Sequence, residues 1–255
     1  MNILNHPFVV AILSFALLWL SALQGAFLRR KRKVEADDRE DFNLVVAATL
    51  TLLGLIIGFT FSMAVSRYDL RKNYEEAEAN AIGTEWVRAD LLPSADADKV
   101  RRLLRQYLDE RVKFYRTRNH QELLKINAVT SQLQTDLWNA VKEPAQALPT
   151  PVVALAVSGM NDVLNSQGYT QAAWWNRIPV AAWCLMVAIA ICCNVLIGYG
   201  ALHAEGTSAR LVVLPLVVAI SFLLIADIDS PRSGVIHVAP QNLLSLAQSI
   251  NPRQF

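Results

Sequence analysis

Thr51, Leu55 and Phe59 recur every four residues within an uncharged segment, so on a helix they share one face. Contributed by several copies around an axis, such a stripe makes a narrow apolar collar, and collars of this kind gate ions by dewetting. The same spacing also fits side chains turned to lipid or to a bundle core. On the adjacent face Gly54, Gly58 and Ser62 repeat at the same interval, and small residues there let helix backbones approach closely in lipid. Ser62 extends the candidate pore stripe by one turn. Further along, Arg67, Arg71, Glu75 and Glu78, with Glu76 and Glu85, fit the mouth or vestibule of a pore, where acids from several copies form an ion-attracting ring. Pairing of these acids with Arg71 and Lys72 one turn away is the plain structural alternative. Asp227 sits at the end of a short apolar run as either an intramembrane ionisable group or an interfacial cap, and the cap fits better because the run ends there.

Other chemistry is absent from the pattern. His6, His120, His203 and His237 are scattered without an HExxH-like pair, so no metal is expected. No Walker loop, GxSxG elbow or GxGxxG occurs, and Gly198-Tyr-Gly200 reads as a packing or kink feature. Cys184, Cys192 and Cys193 lie together in an apolar segment and form neither a disulfide framework nor a zinc pair. The expectation is no enzyme, no catalytic residue and no cofactor. A net charge of +2 with balanced signs gives no reason to expect nucleic acid as a partner.

The elements that must position these residues follow from where charge is missing. The chain is 53% hydrophobic and 18% charged, yet Met1–Leu28, Phe42–Ser66, Ile178–Ala204 and Leu211–Ala226 contain no Asp, Glu, Lys or Arg. About 20 apolar helical residues span a bilayer core. The reading is an all-α integral membrane protein with four transmembrane helices and a helical extramembrane domain between the second and third. Residues 1–66 hold spans 1 and 2, 67–177 the inserted domain, 178–228 spans 3 and 4, and 229–255 a C-terminal tail. Met1–Pro7 lacks a basic n-region, so the first span reads as an uncleaved helix. The basic run Arg29–Lys33 after it biases that loop to the cytoplasm and so places residues 67–177 outside.

The insertion carries 15 Lys/Arg against 14 Asp/Glu and reads as packed helices. The second span is expected to run on as one helix to Pro93. Ser94 or Asp96 is expected to cap the next helix, whose stripe is Val100, Leu103, Leu104, Tyr107, Leu108, Val112 and Tyr115, with Arg101, Arg102 and Arg105 on its solvated side. A third helix covers about His120–Glu143 and ends at Pro144, and a fourth starts on the cap Thr150 followed by Pro151.

Three segments resemble a bacterial family of four-span membrane proteins usually labelled bestrophin-like. They are Arg67–Pro93 with its Glu78-Ala-Asn-Ala-Ile-Gly-Thr84 run, Leu103–Arg111 (LLRQYLDER), and the tail Asp229-Ser-Pro-Arg-Ser-Gly234, in which Asp229, Pro231 and Gly234 match a D-x-P-x-x-G motif. A more distant similarity is to the bestrophin anion channels, whose pore helix has a Gly-Phe pair, a Ser/Thr, then Val, Ser/Thr, Arg and an aromatic. This chain has Gly58-Phe59, Ser62 and Val65-Ser66-Arg67-Tyr68. The resemblance implies that Phe59 and Leu55 occupy two apolar neck positions. Thr51 departs from the third, which makes the neck shorter or wetter. It also implies a cytoplasmic insertion, the reverse of what Arg29–Lys33 indicates, and the local charge run is given the greater weight.

Two functions follow. One is a homo-oligomeric ion channel of the bacterial inner membrane, a tetramer or pentamer in the lipid bilayer with the second span lining the pore, anion-conducting by resemblance only. The other is a non-conducting membrane scaffold or sensor that binds a partner protein through the helical domain.

Overall fold

The computed structural model describes residues 6–30, 38–201 and 207–250. Most of the basic run that bears on orientation, residues 31–33, lies outside them. The helices are α1 (Pro7–Arg30), α2 (Asp38–Arg88), α3 (Ser94–Arg116), α4 (His120–Ala147), α5 (Pro151–Trp175), α6 (Val180–Gly200), α7 (Thr207–Asp229) and α8 (Gln241–Ile250). The described residues contain no strand. Four helical segments are long and apolar enough to cross a membrane. The all-α, four-span expectation therefore holds.

The chain divides into two compact units, Met1–Tyr68 with Arg177–His237, and Asp69–Asn176 with Val238–Phe255. In the first, α1 packs along α6 and α7. Leu18, Leu53, Ala64, Trp183, Met186, Ala190, Cys193, Phe222 and Ile225 form the buried core, with Trp183 edge-on to Phe222 at 5.9 Å between ring centroids. The closest helix crossing in this unit rests on glycine. A Cβ on Gly25 would collide with the Val195 carbonyl and lie 2.8 Å from the Tyr199 nitrogen, and one on Gly198 would collide with the Ala22 carbonyl. Gly25 on α1 thus lies on the Val195–Tyr199 backbone of α6, and Gly198 on α6 lies on the Ala22–Ala26 backbone of α1, a close approach through small residues of the kind that holds helices together in lipid.

In the second unit α3 packs on α4 and α4 on α5. Ile82, Leu104, Tyr107, Leu108, Phe114, Leu137 and Met160 are buried at the centre. Phe114, Tyr115 and Trp174 form an aromatic triangle with centroid separations of 5.0–5.5 Å.

Several local expectations change. α2 is α-helical for 51 residues and ends at Arg88, after which Ala89–Leu91 tighten into a 3-10 turn. Neither Ser94 nor Asp96 caps α3: Pro93 holds the cap position, its carbonyl accepting from Ala97 N at 2.9 Å, and Asp96 falls in the first turn, where its charge suits the helix dipole. Pro144 does not end α4. Its missing N–H removes one ladder bond, but the helix continues to Ala147 and Leu148 N closes on the Pro144 carbonyl at 2.8 Å. Thr150 caps α5 by accepting from Val153 N at 3.2 Å, with Pro151 at the first helical position, as expected. The tail contains a further helix, α8, that its sequence did not announce.

Candidate functional site

The apolar part of α2 has one buried and one open face. Leu53, Thr60 and Ala64 enter the core of the first unit, with Leu50, Ile56, Ile57 and Val65 half-buried beside them. Thr51, Gly54, Leu55, Gly58, Phe59 and Ser62 are all exposed on the other side. Leu55 keeps 51% and Phe59 63% of its surface uncovered. Only 11% of the most apolar window of this helix is buried within the chain, against 28%, 28% and 50% for the other three. Thr51 Oγ1 donates to the Ala47 carbonyl at 2.9 Å, so its hydroxyl is spent on its own helix. A Cβ added at Gly54 or Gly58 would meet nothing within 4 Å. These glycines take no part in packing within the chain, a role that falls to Gly25 and Gly198.

Where α2 leaves its apolar stretch, Arg67 lies 3.7 Å from Asp229. Asp229 is buried and accepts from Ile178 N at 3.1 Å and from Arg177 Nε at 3.3 Å, while Arg177 Nη2 donates to Ser230 Oγ at 2.8 Å. Asp227, also buried, accepts from Val235 N at 2.7 Å and Ile236 N at 2.8 Å. Pro231 lies in the turn between them. Gly234 passes so close that a Cβ would stand 2.5 Å from the Asp227 carbonyl oxygen. The D-x-P-x-x-G segment thus belongs to a clasp: Asp229 at its head satisfies the Ile178 backbone donor just before α6, and Asp227, two residues earlier, satisfies those of Val235 and Ile236 just after it. Asp227 holds the returning tail through two backbone donors.

In the second unit, Arg71, Glu75 and Glu78 are buried. Arg71 donates to the Ala173 and Asn176 carbonyls, both at 3.2 Å, placing a cation at the negative end of α5. Glu75 accepts from Leu243 N at 3.0 Å and Asn242 Nδ2 at 2.7 Å, placing an anion at the N-terminus of α8. Glu78 pairs with Arg111 and accepts from Tyr115 Oη at 3.3 Å and Thr170 Oγ1 at 3.2 Å. Burial, the largest single cause, lowers the guanidinium pKa of Arg111, but the charge and hydrogen bond of Glu78 together with Tyr107 and Tyr115 outweigh it, and the net shift is upward. Burial first and Glu78 second push the Tyr107 and Tyr115 hydroxyls well above the ordinary phenol range. Of the expected acidic ring, Glu76 alone is exposed, while Glu75, Glu78 and Glu85 face inward. Neither simple reading of these acids, an exposed ring or helix-surface pairing, describes Glu75 and Glu78, whose partners come from distant helices.

The arginine row on α3 also turns partly inward. Arg102 is exposed, but Arg101 and Arg105 lie over the Trp86 ring at 5.6 and 5.4 Å. Arg101 pairs with Asp90 at 2.6 Å, and Arg105 donates to the Ile250 carbonyl at 3.2 Å, at the end of α8. Sequence spacing marks the polar side of α3 but does not show that α8 and Trp86 cover it. Among the described residues no group of three or more His, Cys, Asp or Glu could hold a metal ion.

The family model of the bestrophin-like domain matches residues 11–243. A search of curated proteins returns no match. Among solved structures, the chain is similar to a bacterial bestrophin homologue from Klebsiella pneumoniae carrying a point mutation, at 13% identity and a TM-score of 0.66, covering 95% of this chain and 98% of that one. A second crystal structure of the Klebsiella pneumoniae homologue matches at 14% identity and a TM-score of 0.64, over 94% and 97% of the two chains. A structure described only as a mutant membrane protein matches at 13% identity and a TM-score of 0.67, over 94% and 97%.

Proposed function

The chain belongs to the bestrophin-like family, and from that premise we propose that it forms a homo-oligomeric ion channel of the bacterial inner membrane, with a pore lined by α2. The observation that carries this reading is the open face of α2. Lipid can cover an apolar face, but this one carries Thr51, Gly58 and Ser62 beside Leu55 and Phe59 and belongs to the span least covered by its own chain, which favours further copies of α2 around an axis. In such a ring Leu55 and Phe59 form the constriction, with Thr51 and Ser62 as its more polar neighbours. Water leaves a narrow apolar collar more readily than a polar one, so the barrier to an ion there is desolvation.

A tetramer or pentamer fits this arrangement, and preference for anions enters through the resemblance to bestrophin anion channels. The buried Arg71, Glu75 and Glu78 hold helices together within a subunit and leave the vestibule charge to exposed groups such as Glu76. The reading assigns the protein no catalytic role.

The test is current through planar bilayers containing the purified protein, with Leu55→Ala and Phe59→Ala combined. A channel whose gate is this collar passes more current in the double variant than in the wild type, at the same amount of inserted protein. Silence of both proteins, with an assembly whose axis is filled by side chains or lipid, replaces the channel by a non-conducting scaffold or sensor.

A further inference from the structure

Every buried acid among the described residues has hydrogen-bond donors except one. Glu75, Glu78, Asp227 and Asp229 are each held by side-chain or backbone N–H or O–H groups. Glu85, near the end of α2 and well beyond the apolar stretch, has no solvent exposure, and neither of its carboxylate oxygens has a partner. It lies against α5 at Gly159, where an added Cβ would collide with Glu85 Oε2 and stand 2.7 Å from Arg88 Nη1. A buried carboxylate without donors is strongly disfavoured against its neutral acid.

The charged groups facing it are few. Arg88, one turn on along α2 and half-buried, reaches Asp162 of α5 at 3.8 Å, and Asp162 is exposed. At the next turn Asp90 and Arg101 are engaged with each other. Arg88 therefore stands between two carboxyl groups and pairs with the outer one.

We propose that Glu85 is a proton-binding site that makes the packing of α2 on α5 respond to pH: as the neutral acid it rests on Gly159 and leaves Arg88 to Asp162, and on losing its proton to bulk water it draws Arg88 away from Asp162. Burial, the largest cause, together with the Asp162 charge raises its pKa to about 8 against the opposing pull of Arg88, so the change falls within a range bacteria meet. Gly159 has a matching purpose, since only a residue without a side chain leaves room for the carboxyl group. The inference stands on the second unit alone and holds whether or not the protein conducts.

The test is infrared difference spectroscopy of the full chain in lipid nanodiscs between pH 6 and pH 9. Expected is a protonated-carboxyl C=O band that disappears with a midpoint near pH 8 and is missing in Glu85→Gln. Asp162→Asn, at an exposed position, lowers the midpoint by removing the negative charge and freeing Arg88, whereas Arg88→Gln raises it. A band unchanged in Glu85→Gln, or a midpoint indifferent to both Asp162→Asn and Arg88→Gln, overturns the proposal. No current is measured, so its failure is separate from failure of the channel reading.

Discussion

Glu78 on α2 and Arg111 on α3 form an ion pair in which neither side chain keeps any exposure to solvent, with Tyr115 and Thr170 donating to the same carboxylate. Removing one member of such a pair leaves the other charged and unpaired in a dry interior, which costs about 3–5 kcal/mol. Arg111→Met is expected to destabilise the second unit by that amount, while Lys99→Met, which breaks an exposed pair with Glu143, costs under about 1 kcal/mol. Denaturant titration followed by the fluorescence of Trp174, which packs on Phe114 and Tyr115, compares the two.

The glycines of the first unit separate into two kinds. Gly198→Leu forces α1 and α6 apart at their closest crossing and is expected to abolish a monodisperse elution profile in detergent. Gly54→Ala and Gly58→Ala, which meet no neighbour within the chain, are expected to leave the subunit's melting temperature unchanged. If the open face of α2 is where copies meet, these two changes instead alter the oligomer's mass, read by light scattering.

Asp227→Asn keeps one acceptor for the tail and gives up the other, a loss of about 1 kcal/mol for a part-buried hydrogen bond. The amide protons of Val235 and Ile236, both bound to that carboxylate, are then expected to exchange faster with deuterium, with little change in those of α3.

The linkage at Glu85 has a definite sign. Burial raises its folded-state pKa to about 8, above the ordinary carboxyl value of 4.5, so between those pH values the folded chain holds a proton that the unfolded chain has released. Stability contributed by the neutral acid is present below pH 4.5 and declines as pH rises towards 8. Relative to Glu85→Gln, the wild type is expected to lose of order 1–3 kcal/mol across that window. Gly159→Ala, by displacing the carboxyl group into solvent, reduces this slope. Thermal melts of the three proteins from pH 5 to pH 9 check it.

How much of this was legible in the sequence depends on the reach of the interaction concerned. The four spans are read correctly because the match of an uncharged run to bilayer thickness is a property of consecutive residues. The Thr150-Pro151 start of α5 is equally local. Helical spacing also places Thr51, Leu55 and Phe59 on one face, and the structure finds that face open.

Proximity along the chain misleads where a distant element intervenes. Glu75 reads as a surface acid beside Arg71, but its partners on α8 lie 167 and 168 residues away. Glu78 meets Arg111 across 33 residues. Arg101 and Arg105 read as solvated until Trp86 and the end of α8 close over them. The seam of Gly25 and Gly198 carries little signal, with Ser21 four residues before Gly25 but Asn194 in the matching place before Gly198, and the more regular Gly54-Gly58 repeat masks it. The sequence by itself therefore determined the long helices, which of them cross a membrane and which faces are apolar, because those depend on periodicity and solvent, but not the short α8 of the tail. Only the tertiary structure decided which charges are buried and which glycines bear contact, because burial is set by what packs from elsewhere in the chain.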